Sequence, residues 1–191
     1  MLATPNSTSD IVETREFVTM TFRINRKVIE SFRKQSEESG ISMNALVNQV
    51  LGHYIEWDSF EPRIGMIPFP KSVLAKIFAE LDVNQIAKLA SSVGKDTAID
   101  MAIFMKGRID VLAFISWMEA RMRNSGFEIA HRVDSIKEIH TVTIKHDLGK
   151  NWSIYLKVML ESILADFFKK QSDFIVSDSM LLVSFSAQED K

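Results

Sequence analysis

Residues Val18 to Ile24 alternate strictly, with Val18, Met20, Phe22 and Ile24 on one side and Thr19, Thr21 and Arg23 on the other. That is the two-residue period of a half-buried strand. Asn25 follows as a helix N-cap, and Val28, Ile29 and Phe32 repeat at helical spacing up to Ser39 and Gly40, where glycine suits a left-handed stop. A second helix is predicted from Ser42, with Leu46, Val47, Val50, Leu51, Tyr54 and Ile55 as its apolar stripe. One strand and two helices in about forty residues bury too little surface to offset their ordering entropy. The unit therefore requires a second copy. A lone strand with one apolar face is most simply completed by the same strand of another chain, in a two-fold antiparallel ribbon. The expected dimer core is Val18, Met20, Phe22, Ile24, Phe32, Leu46 and Val50.

The run from Val18 through Arg23, Gly40, Ser42 and Asn44 to Leu51 resembles the ribbon-helix-helix DNA-binding domains of the Arc, MetJ and CopG kind, over residues 17–57. The resemblance implies an intertwined homodimer. In the family, the outward strand positions enter the major groove, and here they match Thr19, Thr21 and Arg23. The turn and second-helix start, where backbone N–H groups hold a DNA phosphate, match Ser42, Met43 and Asn44. The chemistry agrees: a two-stranded ribbon fits the major groove, and arginine pairs bidentately with guanine at about 1–3 kcal/mol of discrimination. A helix N-terminus favours an anion, which positions the protein without reading sequence.

Charge tempers that expectation. The whole chain has a formal net charge of −2. Within residues 15–57 the basic residues Arg15, Arg23, Arg26, Lys27, Arg33 and Lys34 face Glu16, Glu30, Glu37, Glu38 and Glu56. Non-specific affinity scales with the phosphates neutralised, so binding per dimer is expected to be weak unless several dimers sit side by side.

Three of the four prolines, Pro62, Pro68 and Pro70, cluster in one stretch, which predicts a linker over residues 58–70. The expected organisation is a mobile polar arm at 1–16, the ribbon-helix-helix domain at 17–57, the linker, and an α+β effector or oligomerisation domain at 71–191. In the last part, residues 71–125 read as short helices. Strands follow near 127–133 and 136–146, then a helix from about 150 to 168 and strands near 174–176 and 180–185, summarised as a β-β-α-β domain. The run His146 to Ser153 predicts the strand-to-helix corner, with Gly149 making the turn. Met101, Met105, Met118 and Met122 read as core packing in preference to a ligand cavity.

His131, Glu138 and His140 come together if Asp134 and Ser135 form a two-residue hairpin turn, a candidate metal site. The preferred reading is no metal and no cofactor. The absence of cysteine removes thiolate zinc sites and catalytic cysteines. Gly94-Lys95-Asp96-Thr97 lacks the earlier glycine of a phosphate-binding loop, Leu89 standing in its place. No catalysis is expected. The first sixteen residues lack the pattern of a secretory signal. The longest apolar stretch, Ala98 to Met118, is broken by Asp100, Lys106, Arg108 and Asp110. On insertion scales such charges cost roughly 2.5–3.5 kcal/mol each, so no membrane association and a cytoplasmic setting are expected.

The resulting expectation is a homodimeric or higher-order transcriptional regulator, of repressor type, that binds double-stranded DNA. Its second domain would sense a small-molecule effector or join dimers. The alternatives are an antitoxin-like protein gripping a toxin partner, and an interaction module that dimerises without binding DNA.

Overall fold

The computed structural model describes residues 18–187, and the arm expected at 1–16 lies outside the described residues. The chain is of mixed α and β structure and divides into two compact units, residues 1–49 and 50–191.

In the first unit, residues 18–25 belong to no helix or strand. A ladder needs a neighbour to bond to, and no other strand pairs with this segment among the described residues. Helix α1 (Arg26–Glu38) begins where Asn25 accepts the Lys27 N–H on its side-chain oxygen at 2.9 Å. It ends in a Schellman motif, with the Ile41 N–H donating to the Ser36 carbonyl at 3.0 Å and the Gly40 N–H to that of Glu37 at 3.2 Å. Gly40 there takes φ +65°, a value that a side chain would resist. Helix α2 (Met43–His53) starts with Ser42 capping the Ala45 N–H at 3.1 Å. Both helices lie where the caps and apolar spacing predict them.

The division between units falls inside α2, ahead of the expected linker at 58–70. Aromatic packing explains why that segment belongs to the second unit. A π-helical turn (Tyr54–Asp58) buries Trp57, whose indole N–H donates to Glu61 at 2.7 Å. Phe60 packs edge-on against Phe104 at 5.9 Å, and the Arg63 guanidinium lies 4.8 Å over the same ring.

The helices expected over 71–125 are α3 (Lys71–Glu80), α4 (Val83–Leu89), α5 (Lys95–Lys106) and α6 (Val111–Asn124). They precede β1 (Glu128–Asp134), β2 (Ile139–Lys145), α7 (Lys150–Ser162), β3 (Ser172–Val176) and β4 (Met180–Ser186). The strand arrangement differs from the expected β-β-α-β. Both strands expected after the helix, near 174–176 and 180–185, are present, so that summary is one strand short; they form a hairpin, and the antiparallel sheet has the order β1-β2-β4-β3. Ser177 closes that hairpin by donating its N–H to Met180 at 2.9 Å. Within that hairpin it is β4, with Leu181, Val183 and Phe185 buried in alternation, that lies beside β2.

That alternation defines one covered face. Val142 and Ile144 of β2 and Leu181, Val183 and Phe185 of β4 join Phe114, Trp117 and Met118 of α6 and Leu156, Met159 and Leu160 of α7 in a single core. Each such side chain contributes about 1.5–3 kcal/mol on burial. Met118 and Met122 are buried, and Met101 and Met105 pack against the core, with the Trp117 indole N–H donating to the Met105 sulfur at 3.3 Å. The opposite sheet face carries Thr141 and Ser184, hydrogen-bonded at 3.2 Å, as befits an antiparallel sheet with one solvated side. Among the described residues, no helix is long and apolar enough to cross a membrane.

Candidate nucleic-acid interface

Thr19, Thr21 and Arg23 are all exposed, and so are the apolar residues that alternate with them. Val18 is 80% exposed, Met20 69%, Phe22 58% and Ile24 49%. Of the other expected dimer-core residues, Leu46 is buried, Phe32 half-buried and Val50 exposed. The single chain therefore leaves the apolar side of the extended segment uncovered.

At the start of α2, the Ser42 side chain satisfies the Ala45 N–H, the third of the helix. The first two N–H groups, those of Met43 and Asn44, have no carbonyl four residues earlier within the helix. Ser42 and Asn44 are exposed, and Asn44 is further fixed by Asn48, whose side-chain amide donates to the Asn44 carbonyl at 2.8 Å. No carboxylate stands in the first turn of α2, so the positive end of the helix dipole faces outward unopposed by its own side chains.

The histidine cluster assembles differently from the expected triad. The β1–β2 turn has four residues, 135–138, because the Asp134 carboxylate accepts the N–H groups of Ile136 and Lys137 at 3.0 and 3.2 Å and holds a longer loop. Asp134 therefore pairs with Ile139, and His131 faces Val142 in place of Glu138. Glu138 sits in the turn at φ +51°. His131 and His140 remain diagonal neighbours with a ring-nitrogen separation of 2.9 Å, and His140 stacks on Phe185 at 5.5 Å. Glu119 approaches His131 at 3.6 Å. Among the described residues no group of three or more His, Asp or Glu side chains is arranged to hold a metal ion. Burial, and then the charge of His131, push the His140 pKa below its ordinary value, while Glu138 opposes them.

The second unit also holds a cavity of about 480 Å³ that the sequence did not flag. Its lining includes Lys71, Arg121, Trp152 and Tyr155, which come from three different helices. In the sequence, Trp152 and Tyr155 belong to the apolar stripe of α7, and nothing local distinguishes Arg121 from Glu119 and Arg123 beside it on α6.

Compared with protein-family models, curated proteins and solved structures, the chain matches none, so the chemistry of its own residues carries its functional reading.

Proposed function

We propose that the chain is a sequence-specific DNA-binding regulator of transcription that acts as a homodimer. Two copies pair through residues 18–24, place Thr19, Thr21 and Arg23 in the major groove, and set Ser42, Met43 and Asn44 against the backbone phosphates. The observation that supports this best is the uncovered apolar face of Val18, Met20, Phe22 and Ile24 alternating with outward Thr and Arg, directly ahead of two helices. A second copy of that face gives it cover and doubles the polar one. The second unit, with its own core, serves ligand sensing or the joining of dimers.

Selection of bound duplexes from a random library, with wild type and Arg23→Ala at one fixed salt concentration, tests the reading. Wild type is expected to enrich a repeated or palindromic motif, and Arg23→Ala to relax it by about 1–3 kcal/mol at a guanine position. Enrichment by neither protein overturns DNA reading. It favours instead a dimerisation clamp, the alternative supported by the near-balance of charge in residues 15–57.

A further inference from the structure

The cavity in the second unit has walls of aromatic and aliphatic side chains. Trp152 stacks on Tyr155 with ring centroids 5.1 Å apart, Phe127 lies 6.4 Å from Trp152, and Met122, Leu156 and Met159 add to the apolar part of the lining. Its volume, about 480 Å³, falls within the range of pockets that enclose small organic ligands.

Several of its polar groups are already satisfied. Glu61 accepts the Trp57 indole N–H, and Asn124 is hydrogen-bonded by His53. The Lys71 ammonium donates to the Gly126 carbonyl at 2.7 Å, stands 3.6 Å from Asp147 and lies over the Phe127 ring at 4.5 Å. The Tyr155 and Ser125 hydroxyls make no hydrogen bond among the described residues, and two nitrogen donors are likewise left over. The Trp152 indole N–H is buried with no acceptor among the described residues. The Arg121 guanidinium rests 5.3 Å over the Trp117 ring, and among the described residues no carboxylate lies within ion-pair distance of it. Desolvation holds Arg121 below its ordinary pKa, yet a guanidinium stays charged at neutral pH. A half-buried charge without a counter-ion is costly, and Arg121 lines the cavity beside the aromatic wall.

We infer that this cavity binds a small apolar monocarboxylate, whose carboxylate pairs with Arg121 and whose body lies against the aromatic wall. Guanidinium and carboxylate match as a two-pronged pair. A single unpaired cation with Glu61 in the same lining disfavours a multiply charged anion such as phosphate. The inference rests on, and deepens, the sensing role proposed for the second unit.

Calorimetric titration of the full chain in the absence of DNA tests it. The probes are benzoate, 1-naphthoate and octanoate, each beside its neutral amide, together with inorganic phosphate. At least one carboxylate is expected to bind, and its amide at least tenfold more weakly. Arg121→Met is expected to lose that binding by at least about tenfold, as for a hydrogen bond to a charge. Ligand-free Arg121→Met should melt at or above the wild-type temperature, because it removes an uncompensated charge. The wild-type comparison of acid with amide decides the matter even if the variant fails to fold. Binding of none of the carboxylates, equal binding of acid and amide, unchanged binding in Arg121→Met, or phosphate binding as tightly as any carboxylate each overturns the inference. A chain that selects DNA but binds no carboxylate overturns this inference alone. One that binds carboxylates but selects no DNA overturns only the DNA reading.

Discussion

His146 is buried beside the start of α7, and its neighbours fix its tautomer. The Leu148 N–H donates to Nδ1 at 3.3 Å, so Nε2 carries the proton and donates to the Ser153 hydroxyl at 2.8 Å. A second proton on Nδ1 would face an N–H donor. Desolvation pushes the His146 pKa below its ordinary value, with Asp147 opposing, and His140 is shifted in the same direction. For a base whose native pKa is depressed, the unfolded chain binds more protons, so stability is complete above the unfolded value of about 6.5 and falls as pH drops through it. His53 works oppositely: its hydrogen bond to Asp58 raises its pKa, so its contribution is present below about pH 6.5 and lost as pH rises through the native value. That side chain is half-exposed, and solvent weakens its effect. The thermal midpoint is therefore expected to fall between about pH 7.5 and 5.5, and His146→Asn to shrink the fall. A midpoint that rises on acidification would contradict the assignment. Residues of this kind were partly legible in the sequence. The Asn25 cap, the Ser42 cap and the Gly40 stop followed from chemistry reaching only a few residues, whereas nothing local marked His146 as the partner of Ser153.

Gly94 shows what the packing of elements adds. It ends a π-helical turn (Ala90–Gly94) with an ordinary helical φ of −63°, so its backbone does not require glycine. The neighbour does: a Cβ on Gly94 would stand 2.5 Å from the Tyr155 hydroxyl and 3.0 Å from its Cζ. Tyr155 has little room to yield, since it stacks on Trp152 and meets Phe78 edge-on at 5.4 Å. Gly94→Ala gains about 1 kcal/mol of helix propensity and loses about 1–3 kcal/mol to overpacking. The expected net loss is about 1 kcal/mol in denaturant unfolding. In a Tyr155→Phe background part of that loss should return, and strictly additive effects would show that the two side chains do not collide. At this scale the sequence placed the helices and strands but not the joins. The β1–β2 turn, read as two residues, has four because of the Asp134 carboxylate. The two strands after α7 were placed, but not that β4 lies between β2 and β3.

The two units differ in what they bury. Among the described residues of the first unit only Ser36 and Leu46 are buried, while the second has a continuous core reaching from α5 to β4. On the proposed pairing, this first unit gains its stability from association, and its unfolding depends on protein concentration. Unfolding is therefore expected in two transitions. A tenfold dilution should move the first, reported by loss of dimer in sedimentation, and leave the second, reported by tryptophan fluorescence, where it is. All three tryptophans, Trp57, Trp117 and Trp152, lie in the second unit, which makes the probes separable. A single transition insensitive to dilution would argue against pairing through residues 18–24.

By itself the sequence determined the two capped helices of the first unit, the helical stretch over 71–125 and the presence of strands beyond it, whereas the strand expected at 18–24 is an extended segment with no strand to pair with among the described residues. The elements so determined depend on periodicity and capping, interactions between residues at most a few positions apart. Tertiary structure alone decided that residues 50–70 join the second unit and that His131 meets His140 without Glu138. It also decided that Arg121 and Trp152 share one apolar cavity. Such placements depend on which faces of distant elements meet, and no local pattern encodes which side chains that packing leaves without a partner.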